Sequence, residues 1–251
     1  MARASQHSMT FWEHLGELRN RIVWSFIAVA VAAGIAWLFR GWIYDLLLLP
    51  LYLANPAVKL NQFSVTEAFF TFLRISLFSG LVIASPFVIF QVWAFVAPAL
   101  KPHEKRVAAW MIFPVAVLFA VGVAFVYIWL LPFSIRFLLG FTPEQLELEL
   151  SQDRYFSFIT GLCLAGGLLF ELPVVLGLLG FFGIVNPRML WRYSGHALVI
   201  LMIVAAVITP TGDAFNMLAL TAPLMGLYFL SILVVWLIQR GARKKQAEEG
   251  V

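Results

Sequence analysis

The sequence has 251 residues, 62% of them hydrophobic and only 12% charged, with a mean hydropathy of +0.92. A water-soluble domain of this size cannot hide so much apolar surface, so most of the chain is solvated by lipid. The net charge of +4 does not point to nucleic acid, because basic residues of membrane proteins more often set orientation. The single cysteine, Cys163, excludes an intramolecular disulfide and any cysteine-built metal site.

The first predicted element begins at Thr10-Phe11-Trp12-Glu13, a capping box. Phe11, Leu15, Leu18 and Ile22 form an apolar stripe at helical spacing, and Trp12 adds an interfacial anchor. This predicts an amphipathic helix along the membrane surface that continues into the first span, with Glu13, Glu17 and Asn20 on a separate polar face. Glu17 can pair with Arg21 at i+4, worth ~0.3–0.5 kcal/mol. Ala28-Val29-Ala30 resembles a signal-peptidase site, but too few apolar residues precede it, so Ile22–Phe39 is read whole as a retained span.

Five more apolar segments follow, roughly Val65–Ala97, Val107–Leu131, Tyr155–Ile184, His196–Thr209 and Phe215–Ile238. With no water to satisfy backbone groups, each must be helical. The second segment would reach ~50 Å at ~1.5 Å per residue, longer than a ~30 Å hydrocarbon core. It must therefore tilt, bend or protrude, and Pro86 is the expected bend. Its start, Ser64-Val65-Thr66-Glu67, reads as another capping box. In the fourth segment, Gly161 and Ala165 form a small-xxx-small pattern expected to pack against a neighbouring helix, and Pro173 is a second expected kink. The fifth is short, ~21 Å of helix, and a re-entrant hairpin with the sixth is the competing reading. No internal repeat is visible.

Twelve of the 17 Lys and Arg residues flank the ends that share a side with the N-terminus. The positive-inside rule then places both termini in the cytoplasm and leaves Arg40–Ser64 and Pro132–Arg154 outside. The second outer connection carries Glu144, Glu147, Glu149 and Asp153, read as a solvated acidic surface. On the cytoplasmic side, Pro102 suits the first turn of the third span, and Glu104 is stabilised near a helix N-terminus. Glu17 and Glu104 thus have adequate structural roles. They could also grip a cationic ligand, and carboxylates favour the bidentate guanidinium over an ammonium.

Glu171 is the anomaly inside the spans. An ionisable group there costs ~2.5–3.5 kcal/mol on insertion scales. Leu164, Gly167, Leu168, Val174, Val175 and Leu178, its helical neighbours, offer no partner. Arg74 is basic and intramembrane, but counting rises places it at a different depth, which argues against a direct pair. Glu171 is either a protonated carboxyl bonded to a neighbouring helix or the lining of a wet concavity that receives a partner's polar group.

His14-Leu15-Gly16-Glu17-Leu18-Arg19-Asn20-Arg21 resembles the N-terminal motif of TatC, the multispanning subunit family of the twin-arginine protein translocase. The segment from Pro86 to Leu100 (PFVIFQVWAFVAPAL), followed by Glu104, resembles its most distinctive stretch. Phe170-Glu171-Leu172-Pro173 and Ile208-Thr209-Pro210 with Asp213 match two further motifs, in family order. Departures are Thr209-Pro210-Thr211-Gly212-Asp213 for the common TPPD, Phe229 where a Glu is common, and Arg74 where Lys is common.

The resemblance implies an all-α integral membrane protein of six transmembrane helices, with an N-terminal interfacial helix and a kinked second span. It implies one domain over 1–251: a cytoplasmic amphipathic N-terminus at 1–21, a core at 22–238 and a basic tail at 239–251. The implied function is receptor and core subunit of the Sec-independent translocase in the bacterial plasma (inner) membrane, not an enzyme, with no cofactor and no metal. Implied partners are twin-arginine signal peptides of folded cargo, TatA- and TatB-type single-span subunits in an oligomeric complex, and the bilayer, with transport driven by the proton-motive force. Carried over by motif, Glu17 and Glu104 hold the two arginines, with His14, Arg19 and Phe95 beside them. Glu171 and Gln91 are intramembrane polar contacts for partners, and Pro86 and Pro173 are structural kinks.

Two other classes are weighed. A proton-coupled small-solute transporter would use Glu171 with Arg74, but the spans are poor in ionisable groups. An intramembrane enzyme lacks support, since neither HExxH nor GxSxG occurs and Ser194-Gly195-His196 is explained as a helix end.

Overall fold

The computed structural model describes residues 11–56, 58–97, 102–140, 149–208 and 214–249, with the side chains at 11, 102–111 and 242–249 outside the description. Helix α1 (Phe11–Leu38) is followed by α2 (Arg40–Ala54), a short strand β1 (Lys59–Asn61) and the long α3 (Glu67–Val96). Then come α4 (Pro102–Phe125), a π-helical turn at Val126–Leu130, α5 (Leu131–Leu139) and strand β2 (Glu149–Ser151). The chain closes with α6 (Gln152–Leu169), α7 (Leu172–Phe181), α8 (Pro187–Arg192), α9 (Ser194–Ile208) and α10 (Ala214–Glu249).

Among the described residues, five stretches are long and apolar enough to cross a membrane: Trp12–Leu38, Glu67–Val96, Ile112–Leu139, Gln152–Phe181 and Ala214–Gly241. The sixth, Ser194–Ile208, is a 15-residue apolar helix. Every segment read from the sequence is therefore a helix. The boundaries drawn at 21/22 and 238/239 fall inside the continuous helices α1 and α10.

Polarity is arranged for lipid. Leu15 and Ile22 of the expected apolar stripe are exposed, at 40% and 45%, while His14, Glu17 and Arg21 turn towards α3. In a bilayer the apolar face contacts acyl chains, and the polar face must find partners inside the bundle.

The two connections expected outside are structured rather than loose. Strands β1 and β2 pair in parallel, with Leu60 opposite Leu150. Glu67 ties them down. Its Oε2 accepts from the amides of Phe63 (2.6 Å) and Ser64 (3.3 Å), and its Oε1 from the Ser151 hydroxyl (2.9 Å) and the Asp153 amide (2.8 Å). Only half of the expected capping box forms, because the Ser64 hydroxyl bonds Thr66 rather than the Glu67 amide. Arg74 pairs with Asp153, donating to its carboxylate at 2.5 Å and its carbonyl at 3.0 Å. Asp153 is thus a fixed counter-ion, not part of a free acidic surface. The same pairing agrees with the depth argument that separated Arg74 from Glu171. Glu144 and Glu147 lie outside the described residues.

Small residues set the helix crossings. A Cβ on Gly80 of α3 would lie 2.5 Å from the Ala33 nitrogen of α1, and one on Gly122 of α4 would lie 2.6 Å from the Gly166 carbonyl of α6. The expected packing site at Gly161 is not one, since nothing lies within 4 Å of its Cβ direction. The close contacts are displaced along α6 to Gly166 and Gly167.

Candidate functional site

At one end of the bundle α1 and α3 run antiparallel. His14, Glu17 and Arg21 are three and four residues apart, hence on one face of α1. Gln91 and Phe95 are likewise one turn apart on α3. The His14 ring stacks on Phe95 with centroids 4.4 Å apart. Arg21 donates one nitrogen to the Gln91 side-chain oxygen (3.0 Å) and another to Glu17 Oε1 (3.2 Å). The Glu17 side chain is only 18% exposed, and its second oxygen is buried with no hydrogen-bond partner among the described residues. A half-satisfied carboxylate in a partly desolvated place has strong residual capacity for a cation.

Below this polar mouth lies a cavity of about 560 Å³ between the two helices, lined by apolar side chains including Leu18, Ile22, Phe26, Val88 and Val92. The mouth and the cavity together can take a cationic group followed by an apolar segment.

Of the residues implied by resemblance, Glu17, His14 and Phe95 converge here, and Gln91 joins them through Arg21. Arg19 does not: it is exposed, and among the described residues no contact links it to the cluster. One turn of helix separates Arg21 from Glu17, whereas Arg19 is two positions away, on another face. Sequence reasoning places Arg21 at the flank of the first span and beside Glu17 but does not reach its bond to Gln91. The matching one-turn spacing of Gln91 and Phe95 is the signal that could have found it. Glu104 lies in the first turns of α4, where side chains are outside the described residues.

Glu171 sits at a break in the fourth span. Helix α6 ends at Leu169 and α7 begins at Leu172, with Pro173 in its first turn. The Glu171 carbonyl accepts from the Val174 and Val175 amides, both at 3.0 Å, so its backbone starts the second helix. Both carboxyl oxygens are buried and make no hydrogen bond within normal geometry among the described residues. The chain leaves regular helix at Phe170 and Glu171, just before Pro173, and among the described residues no partner for the Glu171 carboxyl is evident. Helix α3 runs continuously through Pro86. The Ser85 hydroxyl donates to the Val82 carbonyl (2.8 Å), the acceptor that proline cannot serve.

Among the described residues no group of three or more His, Cys, Asp or Glu gathers in a way that could hold a metal ion.

The family model of TatC, "Sec-independent protein translocase protein", matches residues 13–223. A Koribacter versatilis protein of that name is 36% identical over 98% of this chain and 93% of its own length. One from Aquifex aeolicus is 37% identical over 96% of this chain and all of its own. The crystal structure of a twin arginine translocase receptor, TatC, superposes with a TM-score of 0.78 at 37% identity, covering 90% of this chain and 100% of that chain.

Proposed function

The chain belongs to the TatC family of Sec-independent translocase proteins, and we propose that it is the receptor and core subunit that binds twin-arginine signal peptides. The observation that carries this reading is the buried oxygen of Glu17, unpartnered among the described residues, at the mouth of an apolar cavity. A signal peptide presents basic residues followed by an apolar run. Its arginines would meet Glu17 and Glu104, competing with Arg21 for the first of these, and its apolar run would follow Leu18, Ile22 and Val92. His14 and Phe95 hold the geometry. Arg19 contributes only to the electrostatic surroundings.

In this reading both termini and the mouth are cytoplasmic, the membrane is the bacterial plasma membrane, and TatA- and TatB-type single-span subunits complete an oligomeric complex driven by the proton-motive force. Glu171 is the polar contact offered to a partner.

A photo-crosslinking amino acid at Val92, which is exposed and lines the cavity, tests the docking path. It is expected to capture a twin-arginine signal peptide and to lose most of that product with the twin-lysine peptide. The same group at Ile128, exposed near the far end of the third span, should capture neither. Equal capture at both positions would refute the docking path.

A further inference from the structure

We propose that the pocket between the α7–α8 turn and the end of the α10 span binds the phosphate headgroup of a net-negative glycerophospholipid. The cavity is about 400 Å³ and is lined by Asn186, Pro187, Arg188, Trp236, Gln239 and Arg240. Among the described residues two arginines line it and no carboxylate does. Two guanidinium groups facing one concavity repel unless an anion lies between them.

The donors are prepared for such an anion. The Arg240 guanidinium lies over the Trp236 ring, 5.0 Å from its centroid, which occupies its face and leaves its N–H edge for oxygen acceptors. Gln239 is locked by donating to the carbonyls of Gly180 (3.1 Å) and Val185 (2.8 Å), which fixes the pocket wall. The Asn186 side-chain oxygen accepts from the Met189 amide (2.8 Å), leaving its NH₂ as a third donor.

The location selects a lipid over a dissolved anion. Trp236 and Leu237 on α10 and Ile184 beside the turn are exposed by 43%, 54% and 64%. A half-exposed tryptophan with arginines at a span end marks the headgroup level, where acyl chains can lie along the adjoining apolar surface. A zwitterionic headgroup would bring its own ammonium into a site that already holds two cations, so a net-negative headgroup is preferred.

The test uses the full chain in detergent and native mass spectrometry with equal amounts of phosphatidylglycerol and phosphatidylcholine. The first bound lipid is expected to be phosphatidylglycerol, undisplaced by glycerol phosphate, which has the headgroup chemistry without acyl chains. R188Q and R240Q should each weaken that preference about fivefold, and the double variant about 30-fold. The double arginine-to-lysine variant should keep most of it, and R192Q, outside the pocket, all of it. Should the double glutamine variant fail to give monodisperse protein, the two single variants decide. Unchanged preference in the glutamine variants that fold, or displacement of the lipid by an equal amount of glycerol phosphate, would overturn the proposal.

Discussion

Glu171→Ala is expected to insert, fold and bind signal peptide like the parent, yet to transport cargo ~5–30-fold more slowly. Removing a buried carboxyl that has no side-chain partner among the described residues relieves a desolvation cost, so stability should not fall. What is lost is the polar docking point at the break between α6 and α7. One interhelical hydrogen bond in lipid is worth ~1–2 kcal/mol in model systems, and that range converts to the stated factor. Glu171→Gln keeps a donor and an acceptor and should retain part of the rate. Transport assays in membrane vesicles with protein levels matched decide between these outcomes. An Ala variant transporting at the parental rate removes Glu171 from the mechanism.

Gly80→Leu should prevent α1 and α3 from meeting. The new side chain begins 2.5 Å from the Ala33 backbone nitrogen, an atom that cannot rotate away. Overpacking typically costs ~1–3 kcal/mol, and a backbone obstacle belongs at or beyond the upper end. The same two helices carry His14 on Phe95 and Arg21 on Gln91, so peptide binding should fall with stability. Gly161→Leu supplies the contrast: it adds the same side chain to a transmembrane helix facing open space. It should be neutral or slightly stabilising, since leucine is the better helix former by ~0.8 kcal/mol. Thermal unfolding in detergent, read beside the yield of monodisperse protein, separates the two. Equal behaviour of the two variants would contradict the crossing assigned here.

The spans were legible because lipid imposes long apolar runs and helices on them, and even the short fifth helix was visible as a deficit of length. The apolar stripe of α1 is legible in the spacing of Leu15, Leu18 and Ile22, but the partners of its polar face are not. Here Leu15 and Ile22 face outward and His14, Glu17 and Arg21 face the bundle. The pairing of β1 with β2 had no local signal, because three residues carry no period and Glu67 holds them through contacts more than eighty residues distant. Gly161 and Gly166 look alike in sequence, and only the rotation of α6 against α4 decides which of them is a contact. Within the site, Glu17, His14 and Phe95 were reached by resemblance. Gln91 and Arg21 were connected only by seeing two antiparallel helices in register.

The central claim is that the mouth formed by α1 and α3 reads arginine rather than positive charge in general. Its most direct test is the affinity of the purified chain for a twin-arginine peptide and its twin-lysine version, measured on the parent and on Glu17→Ala, Glu104→Ala and the double variant. Truncating one member of a desolvated charge pair costs ~2–5 kcal/mol, and an open mouth places each single variant near the lower limit. The parent should bind the arginine peptide more tightly, and the double variant should lose both affinity and most of the arginine-over-lysine difference, because the bidentate acceptors are gone. A double variant that binds and discriminates as the parent does would reduce Glu17 to a helix pair with Arg21 and place the receptor site elsewhere.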